Sequence, residues 1–353
     1  MKNRTKSKII SQNWFKSAMF FIAVVAFCAL YYFVSPFFIS EKPSSVSDFP
    51  IYTNAEELTD MEVHFINVGQ ADSALIKTPD CKYILIDGGD ADETFSIKLV
   101  SYLEDLGVKT IDYAVATHPD ADHIGGFKRI FDKFKVEFVF RPYVKSSNAK
   151  TDRLKERFNP PKAYYCDTDA YADFLLSLKK ERSSWVFSTK DTDVTIDYGK
   201  NKLIIDFLMP EDDLENQKYY DMNEYSPLIK ISYGKFSFMF TGDASSKTEK
   251  EALDLYDVKT IRANVLKVGH HGSDTSTSFE FLKGVSPEYA VISCGDGNIY
   301  KHPKQTVLNN LLARNVRLFR TDKQGNVVFY VDDSGKVKVS TEIAYNGSLY
   351  AGY

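Results

Sequence analysis

Four short apolar runs in this chain end on acids or histidines. "YILID" stops at Asp87 before Gly88 and Gly89, and "YAVAT" runs into His118. "FSFMF" runs into Thr241, Gly242 and Asp243, and "VLKV" into Gly269, His270, His271 and Gly272. Loops at strand ends are where a rigid sheet presents chemistry. One composite site at one sheet edge accounts for all four endings.

The text around these runs has the same character from Met61 onward. "EVHFINV", "ALIKT", "EFVFR", "LIIDFL", "LIKIS", "YAVIS", "VRLFR" and "VVFYV" are short, several alternate in polarity, and most are bounded by Gly, Asp, Asn or Pro. Helical patterns lie between them at about 94–106, 123–134, 169–180, 246–256 and 303–314. In the second, Ile124, Phe127, Ile130, Phe131 and Phe134 share one face, and in the last, Pro303 suits a first turn. Many strands with helices dispersed among them predict an α/β domain over 61–353, two layered sheets covered by helices. With 353 residues and 44% hydrophobic content, the chain has ample material for that core.

Residues 1–16 are basic and 17–39, "SAMFFIAVVAFCALYYFVSPFFI", are 23 residues without a charge. That length reads as one transmembrane helix. Lys2, Arg4, Lys6, Lys8 and Lys16, with no acid through position 40, predict a cytoplasmic N-terminus and a domain outside the cell membrane. Residues 40–60, rich in Ser, Pro and acids, read as a linker. Removing those five positive charges from the net of −4 leaves −9 for 41–353, which excludes a globally cationic nucleic-acid binder. A local exception is 141–162, where seven basic residues, Arg153, Lys155 and Arg157 among them, face only Asp152 and Glu156. Its aromatic residues suit stacking on bases, and a solvated helix face is the competing reading. Cys28 lies in the apolar span and Cys81, Cys166 and Cys294 are scattered, so neither a disulfide scaffold nor a thiolate zinc site is indicated.

The densest chemistry is "ATHPDADHIGG", which places His118, Asp120, Asp122 and His123 within six positions. Histidine with carboxylate suits zinc, manganese or iron, and the carboxylate share favours harder ions than a Cys-rich site would. Asp243, arriving from a distant strand, is suited to bridge two divalent ions about 3.5 to 4 Å apart, as in two-metal hydrolases, and a bound metal lowers the pKa of its water to roughly 7.

"THPDADHIGG", "TGDA" and "LKVGHHGS" resemble the metallo-β-lactamase superfamily, and more narrowly the hydrolase domain of ComEC-type DNA-uptake proteins. "FINVGQADSALI", "NEYSPLIKI" and "NIYKHP" are similar to further motifs of that group, so the resemblance runs from Met61 to Val331. It implies an αββα sandwich with metals at one edge. It makes His118 and Asp120 ligands of one metal, and Asp122 and His123 ligands of the other. Asp243 would bridge, His270 would complete the second site and Asp87 would orient the loop. Asp120 replaces the superfamily's usual second histidine, as is normal for this subgroup. The separate histidine expected before the bridging Asp is absent: 124–242 contain none, and Asn223 to Ser226 is the counterpart segment. Ala71 stands where the subgroup usually has glycine, and Pro227 is a further departure.

The resemblance implies a metal-dependent hydrolase cleaving a phosphodiester, with DNA as the first substrate and phosphorylcholine or another cell-surface phosphodiester as the alternative. A non-catalytic adaptor in a DNA-uptake assembly is the rival class. Asp122, His271 and His302 are the candidate catalytic residues. His271 either hydrogen-bonds a ligand or contacts substrate, and His302 either starts a helix or protonates a leaving group. Ser226 and Ser273 are expected at the substrate, although Ser273 also suits a loop hydrogen bonder. Gln70 and Asp72 are expected to shape the site through hairpin geometry, and His64, inside a strand, to be structural.

Overall fold

The computed structural model describes residues 58–154, 158–160, 163–190, 192–211 and 221–352. One sheet has eight strands in the order β17 (Val337–Thr341), β16 (Val327–Val331), β1 (Met61–Phe65), β2 (Ala74–Lys77), β3 (Tyr83–Ile86), β4 (Thr110–Val115), β5 (Lys135–Arg141) and β8 (Ser184–Phe187). The other has seven, in the order β15 (Arg317–Arg320), β14 (Tyr289–Ile292), β13 (Val265–Lys267), β12 (Phe236–Phe240), β11 (Ile229–Tyr233), β10 (Lys202–Phe207) and β9 (Val194–Asp197). A short parallel pair, β6 (Val144–Ser146) and β7 (Tyr164–Cys166), stands apart.

Period-2 alternation sorts side chains between three cores. Phe236, Phe238 and Phe240 of β12, with Ile84 and Ile86 of β3, point into the core between the sheets. Rings meet across it: Phe140 and Phe207 lie 4.8 Å apart, and Phe65 and Phe240 5.7 Å. Each such pair contributes about 0.5 to 1.5 kcal/mol beyond its burial. Leu85 faces the opposite way, under α1 (Glu93–Asp105), α2 (Ala121–Ile124), α3 (Phe127–Lys133) and α4 (Asp169–Glu181). Met239 and Leu266 face a third core with α5 (Ser246–Leu255), α6 (Val258–Ile261), α7 (Phe279–Val285) and α8 (Gln305–Ala313). The layers are therefore helix, sheet, sheet, helix, as the strand and helix pattern predicts.

Parallel pairing decides where the chemistry goes. Strands β3, β4 and β5 run parallel, as do β12, β13, β14 and β15, so within each sheet their C-terminal ends share an edge. Asp87 follows β3, His118 follows β4, Asp243 follows β12, and His270 and His271 follow β13.

Two expectations need correction. The helix read over 123–134 breaks at Gly125 and Gly126 into α2 and α3, because these glycines pack against the turn after β3. A Cβ on Gly126 would lie 2.1 Å from the Gly88 carbonyl oxygen. Pro303 precedes α8 rather than opening it: Lys304 is the N-cap, and the first turn begins at Gln305. Short strands at the sheet margins, β8, β9 and β17, were not legible as apolar runs, since they are only partly buried. The transmembrane reading of 17–39 and nearly all of the linker lie outside the described residues. Among those described, no helix is long and apolar enough to cross a membrane.

Candidate metal centre

Asp87 is the hub on the first sheet. It sits at φ 59°, a left-handed conformation costly for a non-glycine residue and concentrated at functional sites. Its backbone N–H donates to Val115 O at 2.8 Å, which holds the turn. Its carboxylate accepts from Thr117 N and Thr117 Oγ1, each at 2.9 Å, and from His123 Nδ1 at 2.8 Å. Thr117 Oγ1 also lies 3.1 Å from His118 Nδ1. Both imidazoles are thus gripped at Nδ1, leaving Nε2 to face inward. Asp120, the N-cap of α2, makes no capping bond with its side chain, and its Oδ2 lies 3.5 Å from His118 Nε2.

The second sheet supplies the facing wall. Asp243 Oδ1 lies 3.2 Å from His123 Nε2, close enough for an ion pair but not aligned for a hydrogen bond. Its Oδ2 turns the other way, 3.6 Å from His270 Nε2 and 3.8 Å from His271 Nε2. His270 and His271 both have positive φ, at 48° and 52°, and the His270 N–H is held by Gly242 O at 3.1 Å. His271 Nδ1 donates to Ser293 O at 3.0 Å, and His271 Nε2 lies 3.2 Å from Asp122 Oδ2. His270 Nδ1 lies 3.0 Å from Thr275 Oγ1. All four histidines therefore share one arrangement, Nδ1 engaged and Nε2 toward a carboxylate, the usual support of metal-ligating histidines.

Two groups of donor atoms lie within 4.8 Å of one another: His118, His123 and Asp243, and Asp122, His123 and His271. Within the first, His118 Nε2, His123 Nε2 and Asp243 Oδ1 are buried without a hydrogen-bond partner. Three buried polar atoms left without hydrogen bonds and turned together are costly in a protein interior. A divalent cation would satisfy all three, so the residues present fit a metal. His271 occupies the position in the second group that was expected for His270, which stands nearer the mouth. Burial opposes the charge on His271, but Asp243 and Asp72 hold its imidazole up to about 10. His123 is likewise raised well above its ordinary value, Asp243 and Asp87 overcoming the cost of burial.

A third cluster of donors, Asp72, Asp87 and His123, already has its cation. Lys267, 4% exposed, places Nζ 2.7 Å from Asp72 Oδ2. Burial would raise the Asp72 carboxyl, but Lys267 and His271 hold it well below the usual carboxylate range. Lys267 was missed in the sequence as a site residue. Its signal was a charged side chain in the apolar strand run "NVLKV" directly ahead of the histidines.

The other expected residues are distributed as follows. Ser226 is fully buried and its Oγ accepts from Asp243 N at 3.1 Å, so it supports Asp243 instead of meeting substrate. Ser273 is also buried and accepts from Thr275 N and Oγ1, making it a loop hydrogen bonder. Gln70 Oε1 accepts from Gly295 N at 3.0 Å, tying the first hairpin to the loop after β14. Asp72 adds a backbone tie, its N–H donating to Asp122 O at 3.0 Å. His302 is buried, with its ring 5.7 Å from that of His270. Burial and the neighbouring histidines push it down to about 4, so at neutral pH it is uncharged. His64 is buried in β1, bonded to Tyr102 and Glu62 and remote in the network from these groups.

The basic segment is less open than its composition implied. Arg141 is buried among the Phe158, Trp185 and Phe187 rings, 5.3, 4.8 and 5.0 Å from their centroids. Lys150 is paired with Asp169 and Asp173. Arg153 is exposed, and Lys155 and Arg157 lie outside the described residues.

A double sheet between helix layers, with histidines and aspartates meeting at one strand edge, defines a class. The metallo-β-lactamase superfamily profile matches residues 66–296, and the chain belongs to that superfamily. Within it, the chain is similar to ComE operon protein 3 of Bacillus subtilis (strain 168), 29% identical over 76% of this chain and 33% of that protein. It is also similar to Competence protein ComA of Neisseria gonorrhoeae, 27% identical over 84% of this chain and 35% of that protein. The chain spans about a third of the length of these relatives. Among solved structures, the CmlA beta-hydroxylase E377D mutant aligns over 79% of this chain and 55% of that one, at TM-score 0.46 and 12% identity.

Proposed function

We propose that this protein is a metal-dependent phosphodiesterase acting on DNA, anchored through residues 17–39 with its hydrolase domain outside the cell membrane. The observation that carries the hydrolase reading is Asp243, whose two carboxylate oxygens divide between His123 on one side and His270 and His271 on the other. That division suits a bridging ligand of two ions, zinc or manganese. His118, Asp120 and Asp243 would hold one ion, and Asp122, His271 and Asp243 the other, with His123 within reach of both and His270 at the entrance. When bound, such cations supply Lewis-acid chemistry, neutralising charge on phosphoryl oxygens and making the attacking water more acidic.

The chain's own residues do the rest. Asp87 and Thr117 orient His118 and His123 by holding their Nδ1 atoms. Ser293 O and Asp72 do the same for His271. Uncharged His302 offers a ring nitrogen beside His270, suited to a hydrogen bond with a substrate oxygen. The competence relatives support DNA as substrate. The burial of Arg141 and the pairing of Lys150 favour the second reading, a smaller phosphodiester such as a phosphorylcholine ester, because less of the basic segment is free for a polyanion.

The test compares wild type and Asp243→Ala, stripped with chelator and reloaded with Mn²⁺ or Zn²⁺. Substrates are bis(p-nitrophenyl) phosphate, p-nitrophenyl phosphorylcholine and an oligonucleotide, with bound metal counted after dialysis. Asp243→Ala should lose metal and turnover together. Full metal retention by the variant would remove the bridge, and no turnover of any substrate by loaded wild type would leave the adaptor.

A further inference from the structure

We propose that Tyr300 is a stacking platform for a nucleobase next to the scissile phosphodiester, an inference that rests on the nucleic-acid reading above. The loop between β14 and α8 carries two large apolar side chains out into solvent beside the centre: Ile299 is 88% exposed and Tyr300 58%. Single exposed apolar residues are ordinary on protein surfaces. These two are distinguished by what holds them. Asn298 donates through Nδ2 to Gly295 O at 2.9 Å and to His302 O at 2.6 Å, and its Oδ1 accepts from His302 N at 2.9 Å. Lys304 Nζ donates to Tyr300 O at 2.8 Å. The loop is therefore pinned from both sides, and the order is spent on presenting a tyrosine to water.

The ring is also connected to the centre. Tyr300 lies on the His302 imidazole, centroids 5.8 Å apart and planes inclined by 27°. His302 in turn meets His270 edge-on at 5.7 Å, and His270 faces Asp243. Tyr300 thus contacts His302 and is still 58% exposed, two ring contacts away from the His270 that faces Asp243. A strand with a phosphate at Asp243 would pass Tyr300 with a neighbouring base. An aromatic face accepts any base, because every base has a π-face. Lys301, exposed and without a carboxylate partner among the described residues, adds positive charge for the adjoining phosphate. The loop's own acid, Asp296, is neutralised by Lys323 at 2.7 Å. Stacking and charge together match a single-stranded segment and do not require the partly closed 141–162 track.

The experiment measures binding, by the 353-residue chain loaded with Mn²⁺, of two dye-labelled phosphorothioate 12-mers of equal charge whose linkages resist cleavage, one carrying bases and one abasic throughout. Wild type should prefer the base-bearing strand, and Tyr300→Ala should lose about tenfold for it, the order expected of one stacked base, with little change for the abasic strand. Tyr300→Trp should restore the preference, which separates stacking from a folding defect. Equal affinity of wild type for the two strands, or equal loss on both in Tyr300→Ala, overturns the platform. Turnover of bis(p-nitrophenyl) phosphate by Mn²⁺-loaded wild type is measured alongside. If it proceeds while the base preference is absent, the platform fails and the hydrolase reading stands. If the Tyr300-dependent preference is present without turnover, the platform stands and the hydrolase reading fails.

Discussion

Lys267 and Asp72 show how single buried charges hold this site. The pair is nearly sealed from solvent, and its geometry links the first hairpin to β13 immediately before the histidines. Lys267→Met would leave a buried carboxylate without its main partner, at a cost of about 3 to 5 kcal/mol. Adding Asp72→Leu should recover much of that, since removing both charges avoids the unpaired one. Urea midpoints of the two single variants and the double variant check this. A double variant no more stable than Lys267→Met would mean that the pair contributes more than mutual neutralisation. The histidine roles divide on equally small differences. His270 and His271 are adjacent, yet a Ser293 carbonyl at 3.0 Å turns one ring inward while Thr275 holds the other at the mouth.

At the scale of elements, turn geometry matters more than helix propensity. The break between α2 and α3 lets the chain reverse against the turn after β3, where Gly126 N–H donates to Gly89 O at 3.0 Å and Gly88 N–H donates to His123 O at 2.7 Å. A methyl group at Gly126 would collide with backbone, which cannot move aside as a flexible side chain can. Gly126→Ala should therefore destabilise the protein by about 1 to 3 kcal/mol, the range for overpacking, and lower metal affinity by shifting His123. Thermal unfolding with and without Mn²⁺ measures both effects. Normal metal-dependent stabilisation in the variant would show that α2 is positioned independently of this contact. The helical pattern over 123–134 was legible from its apolar spacing. Its interruption was not, because the reason lies in Gly88, 38 positions earlier than Gly126.

At the scale of the molecule, the charge balance and the apolar 17–39 run make a prediction that does not depend on the site. Protease added to intact cells should degrade the 61–353 domain while sparing a short N-terminal tag. Protection of the domain would overturn the orientation and, with it, an extracellular substrate. The domain itself relies on the inter-sheet core, where aromatic rings from both sheets interlock. That packing sets the distance between His123, in α2 after β4 of one sheet, and Asp243, after β12 of the other.

From residue order alone, the double-sheet architecture, the family resemblance and most of the candidate ligands could be read, because period-2 apolar runs and strand-end motifs are local in the chain. The fold decided the rest. It turned His271 rather than His270 toward Asp122, buried Ser226 behind Asp243, and enclosed Arg141 among aromatic rings instead of leaving it for phosphate. It also joined Lys267 to Asp72, 195 positions apart. Each of these depends on which strand ends pack against one another and on side-chain directions within a few ångströms, quantities set by the closure of two sheets around a shared core and not by spacing along the chain.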